Sequence, residues 1–144
     1  MAGLIRAHTD APCRKQNALV RQQRPERRSD MTGPHGFTDE FTQPEPARAE
    51  IDTLAGPAVL EFGTGWCGFC RSAQPLLASA FSDFPLVRHI KVEDGSGRRL
   101  GRSFGVKLWP TLVFLRDGVE TARLVRPQNA TAIAAHLATI AFRL

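Results

Sequence analysis

The 144-residue chain has no tyrosine, and it contains only three cysteines and two tryptophans. It has no run of about 18 consecutive apolar residues, so no membrane-spanning helix is predicted. Residues 1–30 also lack the continuous apolar core of a secretory signal. Three cysteines do not form a disulfide framework, whereas a close pair suits redox or metal chemistry in a reducing compartment. These absences favour a cytoplasmic protein.

The larger part of the chain has little net charge. Residues 31–144 contain twelve basic and eleven acidic residues, whereas residues 1–30 contribute +4 of the total +5. The basic balance therefore describes one terminal segment, and nucleic-acid binding by the folded part is not favoured.

The domain organisation follows from where regular apolar patterning begins. Residues 1–35 are rich in arginine, glutamine and proline without an apolar period, which predicts a disordered basic tail. One hypothesis is that residues 1–30 are not translated and that the protein starts at Met31; a genuine tail is the alternative. Residues 36–144 are predicted to form one domain.

Patterning within residues 36–144 predicts the order β-α-β-α-β-α-β-β-α, an α/β fold with a central mixed sheet of four to five strands flanked by helices. Asp117-Gly118 predicts a hairpin, and Asn129 is a helix cap. Pro75 should kink the second helix. The predicted elements are an edge strand Gly36–Phe41, a helix Pro44–Leu54, a strand Ala58–Phe62, a helix Cys67–Phe81, a strand Phe84–Val92, a short helix to Phe104 ended by Gly105, strands Thr111–Leu115 and Val119–Val125, and a last helix with Ile133, Leu137, Ile140 and Leu144 on one side.

Two cysteines, Cys67 and Cys70, follow a buried strand and open a helix. Two intervening residues let both sulfurs meet over one turn, and a helix N-terminus favours the thiolate of Cys67. Cys70, one turn further on, should be more buried and less acidic, which suits one attacking and one resolving sulfur. The alternative is a structural pair or half a zinc site. Zinc normally takes four ligands. The other candidate ligands are scattered along the chain without the spacing of a zinc site, so no metal is predicted. These candidates are Cys13, His8, His35 and His136.

A set of motifs spread over about 100 residues resembles the thioredoxin family. These motifs are Val59-Leu-Glu-Phe62, Trp66-Cys-Gly-Phe-Cys70, Pro75, Phe104-Gly-Val, Trp109-Pro-Thr111 and Asp117-Gly118. The resemblance implies a thioredoxin-like fold and a thiol–disulfide oxidoreductase that reduces protein disulfides. It implies no cofactor beyond the cysteines, regeneration by a thioredoxin reductase or a small thiol, and a monomer.

The resemblance also implies roles for individual residues. Cys67 would attack the substrate and Cys70 would resolve the mixed disulfide, while Glu61 stands where thioredoxins keep a buried aspartate that accepts a proton from the resolving thiol. A strand residue facing solvent is the alternative for Glu61. Pro110 would be a cis proline beside the cysteines, which is a specific expectation because few X–Pro bonds are cis. The substrate-binding set implied is Trp66, Gly68, Phe69, Trp109, Pro110 and Thr111.

Departures from the family pattern leave the redox direction open. Phe69 replaces a proline common between the cysteines, Trp109 replaces a small aliphatic residue, and Arg126 aligns with a glycine near the rim of the site. His89 lies near a position that often holds lysine close to the buried acid, but it is predicted to be an ordinary strand residue. The competing functions are therefore an oxidase or isomerase, and a binding module whose thiols act as a redox sensor.

Overall fold

A computed structural model describes residues 35–142 of the chain. The predicted tail, apart from its last residue, lies outside these residues, as do Cys13 and Leu144. The elements are α1 (Arg48–Asp52), β1 (Pro57–Gly63), α2 (Gly68–Phe81), β2 (Arg88–Glu93), α3 (Leu100–Ser103), β3 (Thr111–Arg116), β4 (Val119–Val125) and α4 (Ala130–Ala141).

The four strands form one mixed sheet in the order β2-β1-β3-β4. The neighbours β1 and β2 are parallel because α2 carries the chain back across the sheet between them. The pairs β1–β3 and β3–β4 are antiparallel. Asp117 and Gly118, both with positive φ, form the predicted hairpin turn between β3 and β4. The end of the central strand β1 therefore leads directly into the start of α2.

Both faces of the sheet are covered. On one face, α2 and α4 pack against the sheet around a shared apolar cluster, and the Asn129 side chain accepts a hydrogen bond from the Ala132 N–H as the predicted cap of α4. On the other face, the ring of Phe62 packs against Phe104, which follows α3. The fully buried members of the first cluster include Val59, Leu77, Leu112, Phe114, Ile133 and Leu137.

The predicted edge strand Gly36–Phe41 is wrong. The backbone of the segment pairs with β2 only through isolated bridges, at its beginning and at Phe41. Between them the backbone N–H groups bind side chains: Thr38 N–H donates to His89 Nδ1, and Glu40 N–H donates to Thr38 Oγ1. These side-chain acceptors replace the ladder partners that a strand requires.

Two other predicted elements are shorter in the structure. The helix predicted over Pro44–Leu54 spans only Arg48–Asp52, because a residue before proline is disfavoured in helical conformation and Pro46 therefore delays the start. The strand predicted over Phe84–Val92 begins at Arg88. Its first residues instead form turns that join Phe84 N–H to Phe81 O and Val87 N–H to Phe84 O.

Candidate active site

The two cysteines occupy the first turn of α2. Cys67 is the N-cap of the helix, with extended backbone, and its sulfur accepts a hydrogen bond from the Cys70 N–H at 3.3 Å. Its residual exposure is 8%, whereas Cys70 is 3% exposed and lies one turn inside. Both are free thiols. The helix start therefore leaves Cys67 slightly more accessible to solvent than Cys70.

The surroundings separate the acidities of the two thiols. Burial alone would raise the pKa of Cys67, but hydrogen bonds from Cys70 and the backbone of Phe69, together with the charge of Arg126, outweigh it and lower that pKa. The pKa of Cys70 is raised to about 12, chiefly by burial, with contributions from hydrogen bonding to Cys67 and from the negative charges of Cys67 and Glu61. Cys67 is thus the thiol that ionises first, and the thiolate is the reactive form.

The last residue of β1, Gly63, lies directly under Cys70. A Cβ atom at this position would lie 2.6 Å from the Cys70 sulfur. Carbon atoms in contact are normally 3.5–4.0 Å apart, so only a glycine leaves room for this sulfur. The central strand therefore fixes where the second thiol sits.

A buried carboxylate, Glu61, lies in the middle of β1 and is completely excluded from solvent. Its Oε1 accepts a hydrogen bond of 2.6 Å from Gln74 Nε2, and the same amide nitrogen donates to Cys70 O at 3.1 Å. Gln74 thus ties the carboxylate to the turn of α2 that carries Cys70. The solvent-facing alternative for Glu61 is wrong.

A second group on the buried side is His89, in β2 beside Glu61. Its Nδ1 accepts the Thr38 N–H at 3.0 Å, so a neutral ring carries its hydrogen on Nε2. That Nε2 lies 2.9 Å from Glu61 Oε2. The contact is close but not well directed, since neither atom has a hydrogen-bond partner of good geometry. His89 therefore lies buried against Glu61.

Lys91, two residues after His89 in β2, completes the polar cluster. Its Nζ donates to Gln74 Oε1 at 2.9 Å and to Asp39 O at 3.2 Å, and it lies 4.9 Å from the centre of the Phe41 ring. Neither Gln74 nor Lys91 was predicted from the sequence. Spacing alone could have indicated both residues. Gln74 follows Cys70 by four residues and so shares its face of α2, and Lys91 follows His89 by two residues and so shares its face of β2.

Aromatic side chains surround the opening to Cys67. Trp66 is 74% exposed and Phe69 is 55% exposed. The indole of Trp109 packs edge-on against the indole of Trp66, with ring centres 5.7 Å apart. The Nε1 of Trp109 donates a hydrogen bond to Asp94 Oδ2 at 2.8 Å. Gly68 is exposed between Cys67 and Phe69. The rim therefore offers an apolar surface next to the reactive sulfur.

The loop before β3 lies on the other side of this rim. The Trp109–Pro110 peptide bond is cis, and Pro110 is buried. Thr111 is also buried, and its hydroxyl donates to Leu108 O at 2.6 Å. Thr111 therefore shapes the loop from inside, whereas Trp109 lies at the surface.

Residues 35–142 contain neither a metal-binding cluster nor a membrane-spanning helix. Within that range, no group of three or more histidine, cysteine, aspartate or glutamate side chains is arranged to hold a metal ion. None of the helices described there is both long and apolar enough to cross a bilayer.

Two thiols of unequal acidity at the start of one helix, above a buried carboxylate, define an α/β protein built for dithiol–disulfide exchange. Comparison with known proteins gives the family, since residues 41–139 match the family model of thioredoxin. The chain belongs to the thioredoxin family, whose members are thiol–disulfide oxidoreductases. The predicted family and the thioredoxin-like fold are confirmed.

Individual relatives show how far the similarity extends. Thioredoxin H-type 1 of Nicotiana tabacum is 36% identical over 67 residues, which are 46% of this chain and 53% of that protein, so the match spans about half of that relative. Thioredoxin of Chlamydia muridarum is 35% identical over 75 residues, 51% of this chain and 74% of its own. The structure of thioredoxin 2 from Pseudomonas aeruginosa PAO1, in its reduced form, is 58% identical with a TM-score of 0.66, covering 73% of this chain and 97% of that one.

Proposed function

We propose that this chain reduces protein disulfides by cycling Cys67 and Cys70 between dithiol and disulfide. The observation that supports this most strongly is the difference in acidity between two thiols on one helical turn. The Cys67 thiolate attacks one substrate sulfur, the substrate S–S bond breaks, and its second sulfur leaves as a thiolate. Cys70 then loses its proton and attacks Cys67, which releases the first substrate sulfur. Two electrons have passed to the substrate, and the chain holds a Cys67–Cys70 disulfide.

Glu61 is proposed as the group that takes the proton from Cys70. Its negative charge acts on the Cys70 thiol, and Gln74 holds one carboxylate oxygen toward that turn of α2. No hydrogen bond joins the Glu61 and Cys70 side chains in the structure, so a bridging water is the proposed path for this proton. Lys91 acts as a positioning residue because it donates a hydrogen bond to Gln74, and His89 packs against the other oxygen of Glu61.

The rim is proposed to bind the polypeptide around the substrate disulfide. Trp66, Phe69 and Trp109 supply exposed or half-buried rings for apolar side chains, while Gly68 and the Pro110 loop shape the approach to Cys67. Aromatic side chains at a surface give large contact areas with little loss of conformational freedom. The buried position of Thr111 supports an indirect contribution through the loop.

A reductant is needed to return the chain to its dithiol form. We propose a thioredoxin reductase or a small thiol for this role, because the cysteines store the electrons and no other cofactor is required. The small number of cysteines in the sequence supports a reducing compartment, the cytoplasm.

The test is reduction of insulin by dithiothreitol with catalytic amounts of the chain. Wild type and the control Ser72→Ala, an exposed position on α2, should both accelerate the reaction, and Cys67→Ser should abolish the acceleration. Equal rates of insulin reduction with and without the wild-type chain would exclude the proposed catalysis and leave only the redox-sensing binding module. The reduction potential decides the direction: a value near the roughly −270 mV of thioredoxin supports a reductase, and one above about −200 mV supports an oxidase or isomerase.

A further inference from the structure

Arg126, the residue after β4, has an unusual backbone conformation. Its φ is +50°, in the left-handed region that disfavours residues with a Cβ atom. Its N–H donates to Pro110 O at 2.9 Å, which anchors it to the loop beside the cysteines. Strained backbone of this kind concentrates at functional sites when surrounding contacts hold it in place.

The side chain of Arg126 connects the two sides of the rim. Its Nε donates to Trp109 O at 3.0 Å, and its guanidinium carbon lies 3.9 Å from the centre of the Phe69 ring. Phe69 lies between the two cysteines in sequence, and Trp109 packs against Trp66, the residue before Cys67. The positive charge is therefore close enough to Cys67 to act on its thiol.

The terminal nitrogens of this guanidinium are available to a ligand. Among residues 35–142, Arg126 donates one side-chain hydrogen bond, from Nε, and it forms no salt bridge. Arg123, three residues earlier, shows the contrast, because its guanidinium binds both carboxylate oxygens of Glu120 at 2.6 and 2.9 Å. The Arg126 guanidinium lies over the Phe69 ring and near Cys67. Its two terminal nitrogens make no hydrogen bond within residues 35–142. A carboxylate matches such donors in a bidentate manner.

The surface beyond Trp109 is positively charged, as Arg126 is. A cleft of about 310 Å³ there is lined by Arg98, Arg102 and Lys107, and also by Asp94. Asp94 accepts the indole N–H of Trp109, and Arg98 binds Glu93. No salt bridge in the described part of the chain involves the other two basic side chains, so a polypeptide that leaves the site in this direction meets excess positive charge.

We propose that Arg126 is a specificity-determining residue that favours polypeptide disulfides with an acidic side chain beside the attacked cysteine. The inference rests on the proposed reduction of protein disulfides. In the complex, Cys67 attacks the substrate sulfur, and the two outer nitrogens of Arg126 bind the carboxylate of the neighbouring substrate residue. Binding in this way uses donors that the free protein leaves open, so the contact between Arg126 and Trp109 need not break.

The test uses three disulfide-cyclised peptides that differ only in the residue next to both cysteines, which is glutamate, glutamine or lysine. The measured quantity is kcat/KM for reduction of each peptide. Wild type should prefer the glutamate peptide over the glutamine peptide by about fivefold, the scale of a partly exposed charge-assisted hydrogen bond. The preference should fall as sodium chloride rises from about 0.05 to 0.5 M, because screening weakens exposed charge pairs.

Variants assign the preference to this one side chain. Arg126→Gln should bring the glutamate-to-glutamine ratio to about one, while Arg71→Gln, which removes an exposed charge from α2, should leave it unchanged. The ratio is insensitive to any general effect of Arg126 on the reactivity of Cys67, because that effect is common to all three peptides. Equal kcat/KM for the glutamate and glutamine peptides with wild type would overturn the proposal without any variant, and so would a preference that survives in Arg126→Gln. Failure to reduce any peptide would instead refute the proposed function.

Discussion

Replacing Gly63 with alanine tests the packing beneath the cysteines. The added methyl carbon would lie 2.6 Å from the Cys70 sulfur, about 1 Å closer than an ordinary contact allows. Overpacking of this kind typically costs about 1–3 kcal/mol of unfolding free energy. In the dithiol form the Cys70 side chain can relieve part of the clash by changing its rotamer. In the disulfide form it is tied to Cys67, so we expect the larger part of the strain there.

The assay is urea unfolding of the oxidised and reduced forms, combined with the reduction potential. If the disulfide form bears about 1.4 kcal/mol more strain than the dithiol form, the potential of Gly63→Ala rises by about 30 mV. The control is Gly65→Ala, two residues further on, where a new Cβ would come no closer than 4.0 Å to the Phe41 ring. It should leave both quantities nearly unchanged.

Unfolding of Gly63→Ala at the same urea concentration as Gly65→Ala in both redox forms would contradict this packing. That result would mean that the Cys70 sulfur does not rest on β1, and the buried position assigned to the resolving thiol would be wrong.

Three further predictions concern acidity, the buried cluster and the core. The rate of Cys67 alkylation by iodoacetamide should fall as pH drops through its lowered pKa, with a midpoint below that of the cysteine in an unstructured reference peptide under the same conditions. Cys70 should react far more slowly at neutral pH, and a Cys67 midpoint at or above that of the peptide contradicts the site. Gln74→Ala leaves Glu61 Oε1 without its hydrogen-bond donor, so urea unfolding should show a loss of about 1–3 kcal/mol, and an unchanged midpoint counts against this contact. Leu77→Ala empties a fully buried position of α2 and should cost about 2–5 kcal/mol in the same measurement; a loss under 1 kcal/mol is inconsistent with the described core.

Local sequence patterns predicted the elements whose signals lie within a few residues. The apolar spacing of α2, the Asp117-Gly118 turn and the cap at Asn129 each act over one or two turns of chain. The segment 36–41 shows where such patterns fail, because its backbone N–H groups are taken by Thr38 and His89 side chains. That exchange depends on where β2 lies in space, which alternation along one segment does not reveal.

The reactive part of the site could be predicted because Cys67 and Cys70 are adjacent on one helix. Glu61 was expected from the family resemblance, but its partners Gln74 and Lys91 could not be predicted, since the three residues come from three elements and meet only through the register of β1 and β2 and the placement of α2. The sequence indicates which face of its element a side chain occupies. The hydrogen-bond partners of the Gln74 amide also depend on how α2 packs against the sheet.

The most direct test of the Cys67–Cys70 cycle is to capture its intermediate. The Cys70→Ser variant lacks the resolving thiol on the same helical turn as Cys67, so a disulfide peptide should form a stable covalent adduct. Peptide mapping by mass spectrometry should place that adduct on Cys67 in nearly all molecules within minutes at pH 7, and dithiothreitol should remove it. The absence of an adduct, with the Cys67 thiol still unreacted after hours, would contradict the account.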